Sequence, residues 1–288
     1  MTASHSVLIV ANPMASGGRV AARLESARAR IERALPGCRI ALTAGPGDAS
    51  RIVREALGAG TTLVVSVGGD GTHHEVTGGF FDGTRPVAPS AGLQVVNGGT
   101  GGDFARLVGA PGLDRWRPED LLAAPRRRID VGHVVHAGPD GSTRERVFLN
   151  IASLGAGGEV VARVNRSSKR LGGFLTFFLA SLRTTYGFRN RPVRVRIDGE
   201  EVATEPIFLG AIANGAWFGG GMKIAPEARL DDGLFEVVLL RHRPGLLRLL
   251  SGSAVYRGGH MSDPRTFHRR AKTVEIEPLD PEPVLLDT

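Results

Sequence analysis

A chain of 288 residues is long enough for about two domains and for a core that needs no disulfides. Hydrophobic residues make up 42% and charged residues 23%, which excludes a wholly disordered protein, and the single cysteine, Cys38, excludes a disulfide framework or a multi-cysteine metal site. The net charge of +7 is compatible with nucleic acid, an anionic membrane surface or an anionic substrate, but no helix-turn-helix, RNP-like or zinc-finger pattern supports nucleic acid.

The cysteine content predicts a cytoplasmic protein. The first apolar run, Val7–Ala11, is too short for the core of a signal peptide. The longest apolar stretch, Gly172–Leu182, is shorter than the ~20 residues that span a bilayer. We therefore expect a chain that does not cross a membrane.

The first half of the chain alternates strand and helix signals. The predicted strands are Val7–Ala11, Arg39–Thr43, Thr62–Val67 and Leu93–Val96, and the predicted helices are Arg19–Leu35, Ala49–Ala59 with Asp48 as its N-cap, His73–Phe81 and one from near Asp103. Strands separated by single helices predict right-handed βαβ units and a parallel sheet. Residues 1–128 are therefore predicted to form an α/β domain.

Near residue 128 the pattern becomes rich in strands. A hairpin is predicted from Asp130–His136 and Arg144–Ser153, followed by strands at Pro192–Asp198, Ile207–Ala213, Leu234–Arg241 and Lys272–Pro278, with helices at Leu171–Tyr186 and Pro244–Tyr256. Residues 129–288 are predicted to form a mainly antiparallel β domain. A return of the extreme C-terminus to the first domain is left open.

Three glycine-rich loops each follow a predicted strand and precede a helix: Asn12–Gly18, Gly68–Thr72 and Asn97–Gly102. The carboxyl ends of parallel strands share one edge of a sheet, so these loops should converge on one ligand. Glycine backbone and helix N-terminal amides suit phosphate groups. Neither the dinucleotide nor the Walker pattern is present, and we predict a nucleotide site of another class.

Asp70 lies in the middle of the second loop. A carboxylate repels phosphate unless a divalent cation lies between them, so Asp70 indicates magnesium. The alternative is a plain tight turn in which Asp70 is a helix N-cap.

In order along the chain, Asn12–Gly18, Gly68–Thr72 and Gly98–Arg106 resemble the three nucleotide-site motifs of the diacylglycerol kinase catalytic-domain superfamily. This superfamily contains bacterial diacylglycerol kinases and YegS-like lipid kinases and is related to sphingosine kinases. Ile224–Leu234 resembles a segment of the family's second domain. The GGDGT element alone also occurs in NAD kinases.

The resemblance implies a parallel-sheet α/β domain, like those of phosphofructokinase and NAD kinase, followed by an antiparallel β-sandwich domain for the lipid. It implies that ATP and Mg²⁺ are bound and that the γ-phosphate passes to a lipid hydroxyl, most simply converting diacylglycerol to phosphatidic acid. The alternatives are a kinase of a sphingoid or soluble acceptor such as NAD, and a catalytically impaired nucleotide-binding module.

The resemblance also implies roles for individual residues. Asp70 and Asp103 are expected to be catalytic, within a magnesium–water network. The expected nucleotide contacts are Asn12, Pro13, Met14, Ala15, Ser16, Thr43, Gly68, Gly69, Asp70, Gly71, Thr72, His73, His74 and Thr100. A structural magnesium is expected at the carbonyl of Arg229, at Asp232 and at the carbonyl of Leu234.

Two departures from the family pattern stand out. Gly102 replaces the usual asparagine of the third motif. The family's D-G-E segment, whose glutamate resembles a general base, is expected beyond Thr288, so the chain is either truncated or lacks this base. The only D-G-E by letters, Asp198–Glu200, is expected to be a turn.

Lys169–Phe188 combines an apolar helical stripe with basic flanks, and we favour a core helix over one that touches a membrane. The positive net charge favours peripheral, reversible association with an anionic membrane surface that holds the lipid substrate. A homodimer is left open.

Overall fold

A computed structural model describes residues 6–99, 102–156, 158–159, 188, 190–241, 254–280 and 284–288. These fall into two compact units: residues up to Arg128 with Gly132–Leu149, and Ile129–Val131 with the residues from Asn150 onward. Thr100, the predicted helix Leu171–Tyr186 and most of the predicted helix Pro244–Tyr256 lie outside the described residues.

The first unit is built on a four-stranded sheet in which every neighbouring pair is parallel, as predicted. Its strands are β1 (Val7–Ala11), β2 (Arg39–Leu42), β3 (Leu63–Gly68) and β6 (Gly92–Asn97), in the order β2-β1-β3-β6. The short strands β4 (Phe81–Asp82) and β5 (Arg85–Pro86) pair separately. The helices are α1 (Ala15–Ala34), α2 (Asp48–Gly58), α3 (Asp70–Gly78) and α4 (Asp103–Leu107), with a 3-10 turn at Pro118–Asp120.

Strand alternation divides the core of the first unit into two layers. Ile9 packs with apolar residues of α1, whereas Leu8 and Val10 pack with those of α2 on the opposite face of the sheet. With both faces covered, β1 and β3 are buried along their full length. This rigid sheet holds the loops at its carboxyl edge.

Helices α1, α2 and α3 begin before their predicted first residues, at Ala15, Asp48 and Asp70. Gly47, with φ of +82°, is the N-cap of α2, and Asp48 is its first helical residue. The Asp48 carboxylate accepts the N–H of Ala44 at 2.8 Å and contacts Arg51 at 2.6 Å. Asp48 therefore closes the preceding turn instead of capping the helix.

The predicted hairpin divides between the two units. Strands β7 (Gly132–Ala137) and β8 (Thr143–Phe148) form a separate two-stranded sheet, and β8 packs against α3. The predicted strand Arg144–Ser153 breaks at Asn150, and β9 (Ile151–Gly155) joins the large sheet of the second unit. At Asn150 the chain passes from the two-stranded sheet of β7 and β8 to the large sheet. Strand propensity, which depends on neighbouring residues, does not predict such a change of partner.

The described sheet of the second unit is antiparallel throughout. Its remaining strands are β10 (Arg191–Ile197), β11 (Glu200–Ala213), β12 (Phe235–Arg241), β13 (Thr266–Ala271), β14 (Val274–Pro278) and β15 (Leu286–Asp287), and a 3-10 turn lies at Gly259–Ser262. Asp198 and Gly199, with φ of 49° and 85°, form the β10–β11 turn, as the sequence predicted.

The described end of the chain belongs to the second unit. Leu286 and Asp287 pair with β9, and the carbonyl oxygen of Leu285 accepts the N–H of Gly155 at 3.3 Å. These residues pair along one edge of β9 and so extend the sheet of the second unit. Among the described helices, none is long and apolar enough to cross a bilayer.

Candidate functional site

The carboxyl edge of the parallel sheet brings the predicted loops together. Asn12 follows β1, Thr43 follows β2, and the other two loops follow β3 and β6. The N–H of Thr43 donates to the carbonyl of Ala11 at 3.0 Å, and that of Asn12 to the carbonyl of Val67 at 3.2 Å. The expected convergence of the loops follows directly from the parallel topology.

Direct backbone contacts join the loops after β3 and β6. The N–H of Gly98 donates to the carbonyl of Gly68 at 2.7 Å. A Cβ added to Gly99 would lie 2.8 Å from the Cα of Gly69. Glycine is therefore required here because the two loops touch, a reason that the sequence alone did not suggest.

The first loop is fastened to the third by a side chain. The Oγ of Ser16 donates to the carbonyl oxygen of Gly98 at 2.6 Å. Ser16 has φ of 54°, a left-handed conformation that is uncommon for a residue with a Cβ, and this hydrogen bond helps to hold it. The Oδ1 of Asn12 accepts the N–H of Met14 at 2.9 Å and shapes the start of the loop.

Other glycines of the site face open space. A Cβ on Gly17, Gly18 or Gly71 would meet no atom within 4 Å. Met14 beside them is 74% exposed, and Pro13 and Ala15 are half-buried. These positions form the open side of the loop cluster, where a ligand can approach the backbone.

Asp70 is the central polar contact of the cluster. Its Oδ2 accepts the N–H groups of Gly102 and Asp103 at 3.2 and 3.1 Å, and its Oδ1 accepts that of Phe104 at 3.0 Å. Asp70 thus caps α4 and not its own helix α3, whose N-cap is Gly69. The sequence-based alternative, in which Asp70 is a helix N-cap, is therefore correct about capping, but the capped helix is α4.

The second predicted catalytic carboxylate, Asp103, is 3% exposed. Its Oδ1 contacts the guanidinium of Arg106 at 3.1 Å. Asp70 retains accepting capacity on Oδ1, so this pair of carboxylates fits an outer role around a hydrated magnesium ion. No group of three His, Cys, Asp or Glu side chains converges within the described part of the chain.

His73, a predicted nucleotide contact, is fully buried beneath the loop. Its Nδ1 lies 2.8 Å from the Oγ of Ser66, and its Nε2 has no hydrogen-bond partner. Burial lowers the pKa of His73 from 6.5 to about 4, although the negative charge of Asp70 opposes this shift. The imidazole is therefore neutral at pH 7 and supports the loop from below.

His74 is half-buried on α3. Burial lowers its pKa, and the guanidinium of Arg146 on β8 lowers it further. Both effects favour the neutral imidazole at neutral pH, so His74 is not a cationic partner for a phosphate group.

Three side chains that organise the loops had no individual role assigned to them from the sequence. Asn97 accepts the N–H of Gly99 at 3.0 Å, Ser66 pairs with His73, and the Nε of Arg19 donates to the carbonyl of Ser16 at 2.9 Å. Asn97 lies at the carboxyl end of β6, and Asn12 lies at the carboxyl end of β1. This similarity of position could have indicated a role for Asn97 from the sequence. Ser66 lies inside an apolar strand, and nothing in the sequence indicated its contact with His73.

Asn97 also gives a reason for the departure at Gly102. A Cβ at Gly102 would lie 2.5 Å from the Nδ2 of Asn97, and Gly102 has φ of +127°. The amide of Asn97 thus fills the space that a larger residue at position 102 would need. Glycine fits this position for both reasons.

The predicted structural metal site lies in the second unit, in the turn before β12. The Asp232 Oδ1 accepts the N–H of Leu234 at 3.1 Å, and its Oδ2 contacts the Arg270 guanidinium at 2.5 Å. Arg229 contacts the neighbouring Asp231 at 3.6 Å. The guanidinium on Oδ2 occupies the position that a directly coordinated divalent cation would need, so this turn does not fit the expected structural metal.

Comparison with known proteins matches both halves of the chain. The family model described as "Diacylglycerol kinase catalytic domain" matches residues 6–134, and "YegS C-terminal NAD kinase beta sandwich-like domain" matches residues 150–287. The crystal structure of a diacylglycerol kinase from Bacillus anthracis str. Sterne superposes with a TM-score of 0.71 at 24% identity, covering 99% of this chain and 90% of that chain. The fold is therefore that of a two-domain kinase with a parallel-sheet first domain.

Two relatives are similar to this chain in amino-acid sequence as well. "Probable lipid kinase YegS-like" from Pseudomonas fluorescens is 33% identical over 301 residues, covering 100% of this chain and 92% of the relative. "Diacylglycerol kinase" from Bacillus subtilis (strain 168) is 29% identical over 232 residues, covering 80% of this chain and 72% of the relative. The chain belongs to the diacylglycerol kinase catalytic-domain family, in its YegS-like lipid kinase branch.

We predict that Asp70→Asn lowers the stability of the first unit by about 1–3 kcal/mol, because one of the three N–H groups loses its acceptor and meets an amide donor instead. Urea unfolding of both proteins measures the change. Asp82→Asn, at a side chain that is 83% exposed, is the matched control and should change little. Equal stability of Asp70→Asn and the parent protein would contradict the capping role.

We predict that His73→Leu flattens the pH dependence of stability. The folded pKa of about 4 lies below 6.5, so the unfolded chain binds this proton first, and stability is lost as pH falls from about 6.5 to 4. The full difference corresponds to about 3 kcal/mol. Unfolding free energies from pH 7 to 4 should fall less steeply for His73→Leu than for the parent or for His136→Leu, and equal slopes would refute the assignment.

Proposed function

We propose that this chain is an ATP-dependent lipid kinase that phosphorylates the hydroxyl of diacylglycerol to give phosphatidic acid. The observation that carries this proposal is the cluster of glycine loops at one sheet edge, fastened by Asp70 and open over Gly17, Gly18 and Gly71. Family membership supports phosphoryl transfer, and the name of the Bacillus subtilis relative supports the acceptor.

The open loops suit the phosphates of ATP. Backbone N–H groups at Gly17 and Gly71 can be approached because no side chain covers them, whereas the N–H of Gly18 donates to the carbonyl of Met14 at 3.3 Å. Ser16 and Asn12 keep the first loop in place through their hydrogen bonds. Preorganised backbone donors of this kind stabilise developing charge without rearrangement during the reaction.

The two carboxylates are proposed to serve the magnesium ion that accompanies ATP. When bound, Mg²⁺ neutralises phosphate charge as the γ-phosphoryl group is transferred. The Asp70 carboxylate would hold the hydrated ion from a fixed position, because three N–H groups hold this carboxylate. Arg106 fixes Asp103 in the same way from the side of α4.

The test is a mixed-vesicle assay with radiolabelled ATP and diacylglycerol, sphingosine or soluble NAD as acceptor. We expect labelled phosphatidic acid to form fastest, and Asp70→Asn to lower kcat by about 100-fold or more at a temperature where it is folded. The matched variant Asp82→Asn should retain the parent rate.

The other outcomes of this assay reject the proposal. Faster labelling of sphingosine or NAD would assign another acceptor to the same site. Binding of ATP without phosphorylation of any of the three acceptors would mean that this chain is a nucleotide-binding module.

We also propose that the chain reaches its lipid by peripheral binding to anionic membrane. Arg126, Arg127 and Arg128 are consecutive, exposed and without an ion pair to any described acidic side chain. Leu122 just before them is 44% exposed. Several arginines of the second unit are instead neutralised by glutamates, for example Arg194 by Glu277 at 2.6 Å. The tract at 126–128 is thus a local surplus of positive charge.

We predict that the triple change Arg126→Gln, Arg127→Gln, Arg128→Gln weakens binding to phosphatidylglycerol vesicles by about tenfold or more, since each arginine near such a surface contributes about 1 kcal/mol. Cosedimentation at low and high salt measures it. The matched control changes Arg194, Arg196 and Arg269 to Gln, which alters the net charge equally but removes arginines already paired with glutamates. Equal weakening by both triples would assign binding to net charge and not to this tract.

A further inference from the structure

Two acidic side chains lie close together where the turn at Asp232 leads into β12. The side chain of Asp232 is 18% exposed and that of Glu236 is 7% exposed. Carboxylates removed from water in this way require a compensating positive charge. In many proteins a pair of this kind binds a divalent cation.

Here one arginine supplies that charge to both. The Nη2 of Arg270 contacts Asp232 Oδ2 at 2.5 Å, and its Nε donates to Glu236 Oε1 at 2.8 Å. Arg270 on β13 is directly opposite Glu236 on β12 in the antiparallel register. The sheet itself therefore delivers the guanidinium to this position.

Hydrogen bonds within the chain close the rest of the turn. The Asp232 Oδ1 accepts the N–H of Leu234, and the Oδ2 of Asp130 accepts the N–H of Gly233 at 2.7 Å. The N–H of Asp130 in turn donates to the carbonyl of Leu230 at 2.6 Å. Both oxygens of Asp232 thus have donors, and a second positive charge would be repelled by Arg270.

We propose that Arg270 takes the place of a divalent cation at the Asp232 turn, so that the second unit is folded without a structural metal. The guanidinium has a planar array of donors that can bridge two carboxylates. The stability of this unit is then independent of magnesium. This inference does not depend on the substrate of the enzyme.

The test is thermal unfolding of the nucleotide-free protein in EDTA and in millimolar MgCl₂. We expect the parent Tm to be the same in both. Arg270→Gln should lower the Tm by about 3 °C or more in EDTA, because two carboxylates lose their cation, and magnesium should then recover much of the loss. Arg269→Gln, which breaks an exposed pair with Glu200, is the matched control and should show neither effect.

Asp232→Asn keeps the proposal testable if Arg270→Gln does not fold. We expect the parent and Asp232→Asn to respond identically to magnesium, since Asp232 binds none. A Tm of the parent that rises by several degrees with magnesium, with the rise abolished in Asp232→Asn, would overturn the proposal. An Arg270→Gln variant as stable as the parent in EDTA would overturn it as well.

Discussion

The carboxylate of Asp70 accepts three N–H groups from the start of α4, and the arrangement of the nucleotide loops depends on this contact. It joins the loop after β3 to the loop after β6, which also touch through Gly68 and Gly98. Without a fixed acceptor, the first N–H groups of the short helix α4 would lack a protein partner. The Asp70 side chain and the direct backbone contact thus fix the relative position of the two loops together.

The same contact bears on the chemistry of the family. A carboxylate that is already hydrogen-bonded on both oxygens is held rigidly, and rigid charges are effective in phosphoryl transfer because they need not reorganise. His73 and Ser66 support the loop from beneath through a hydrogen bond, and burial lowers the pKa of His73, so that its imidazole is neutral at pH 7. The structural and the proposed catalytic roles of Asp70 therefore reinforce each other.

The two units stabilise their carboxylates in different ways. In the first, backbone N–H groups hold Asp70, and its Oδ1 accepts a single hydrogen bond and has capacity for more. In the second, the Arg270 guanidinium contacts Asp232 and Glu236. An acidic side chain in a turn is thus not sufficient to indicate a metal site, because the cation can come from the neighbouring strand.

The sequence by itself determined the alternating α/β half, the antiparallel second half, the three loops and the family. These features depend on short-range periodicity and on glycine motifs, which local chemistry reveals. The tertiary structure alone decided that Asp70 caps α4, that His73 is buried, that Asn97 fills the space beside Gly102 and that Arg270 is paired with Asp232. The contacts of Asp70 and Arg270 join residues distant in the chain, which only the parallel topology and the strand register bring within hydrogen-bonding distance. The contacts of His73 and Asn97 join residues close in the chain, but they depend on the exact path of the backbone, which local periodicity does not specify.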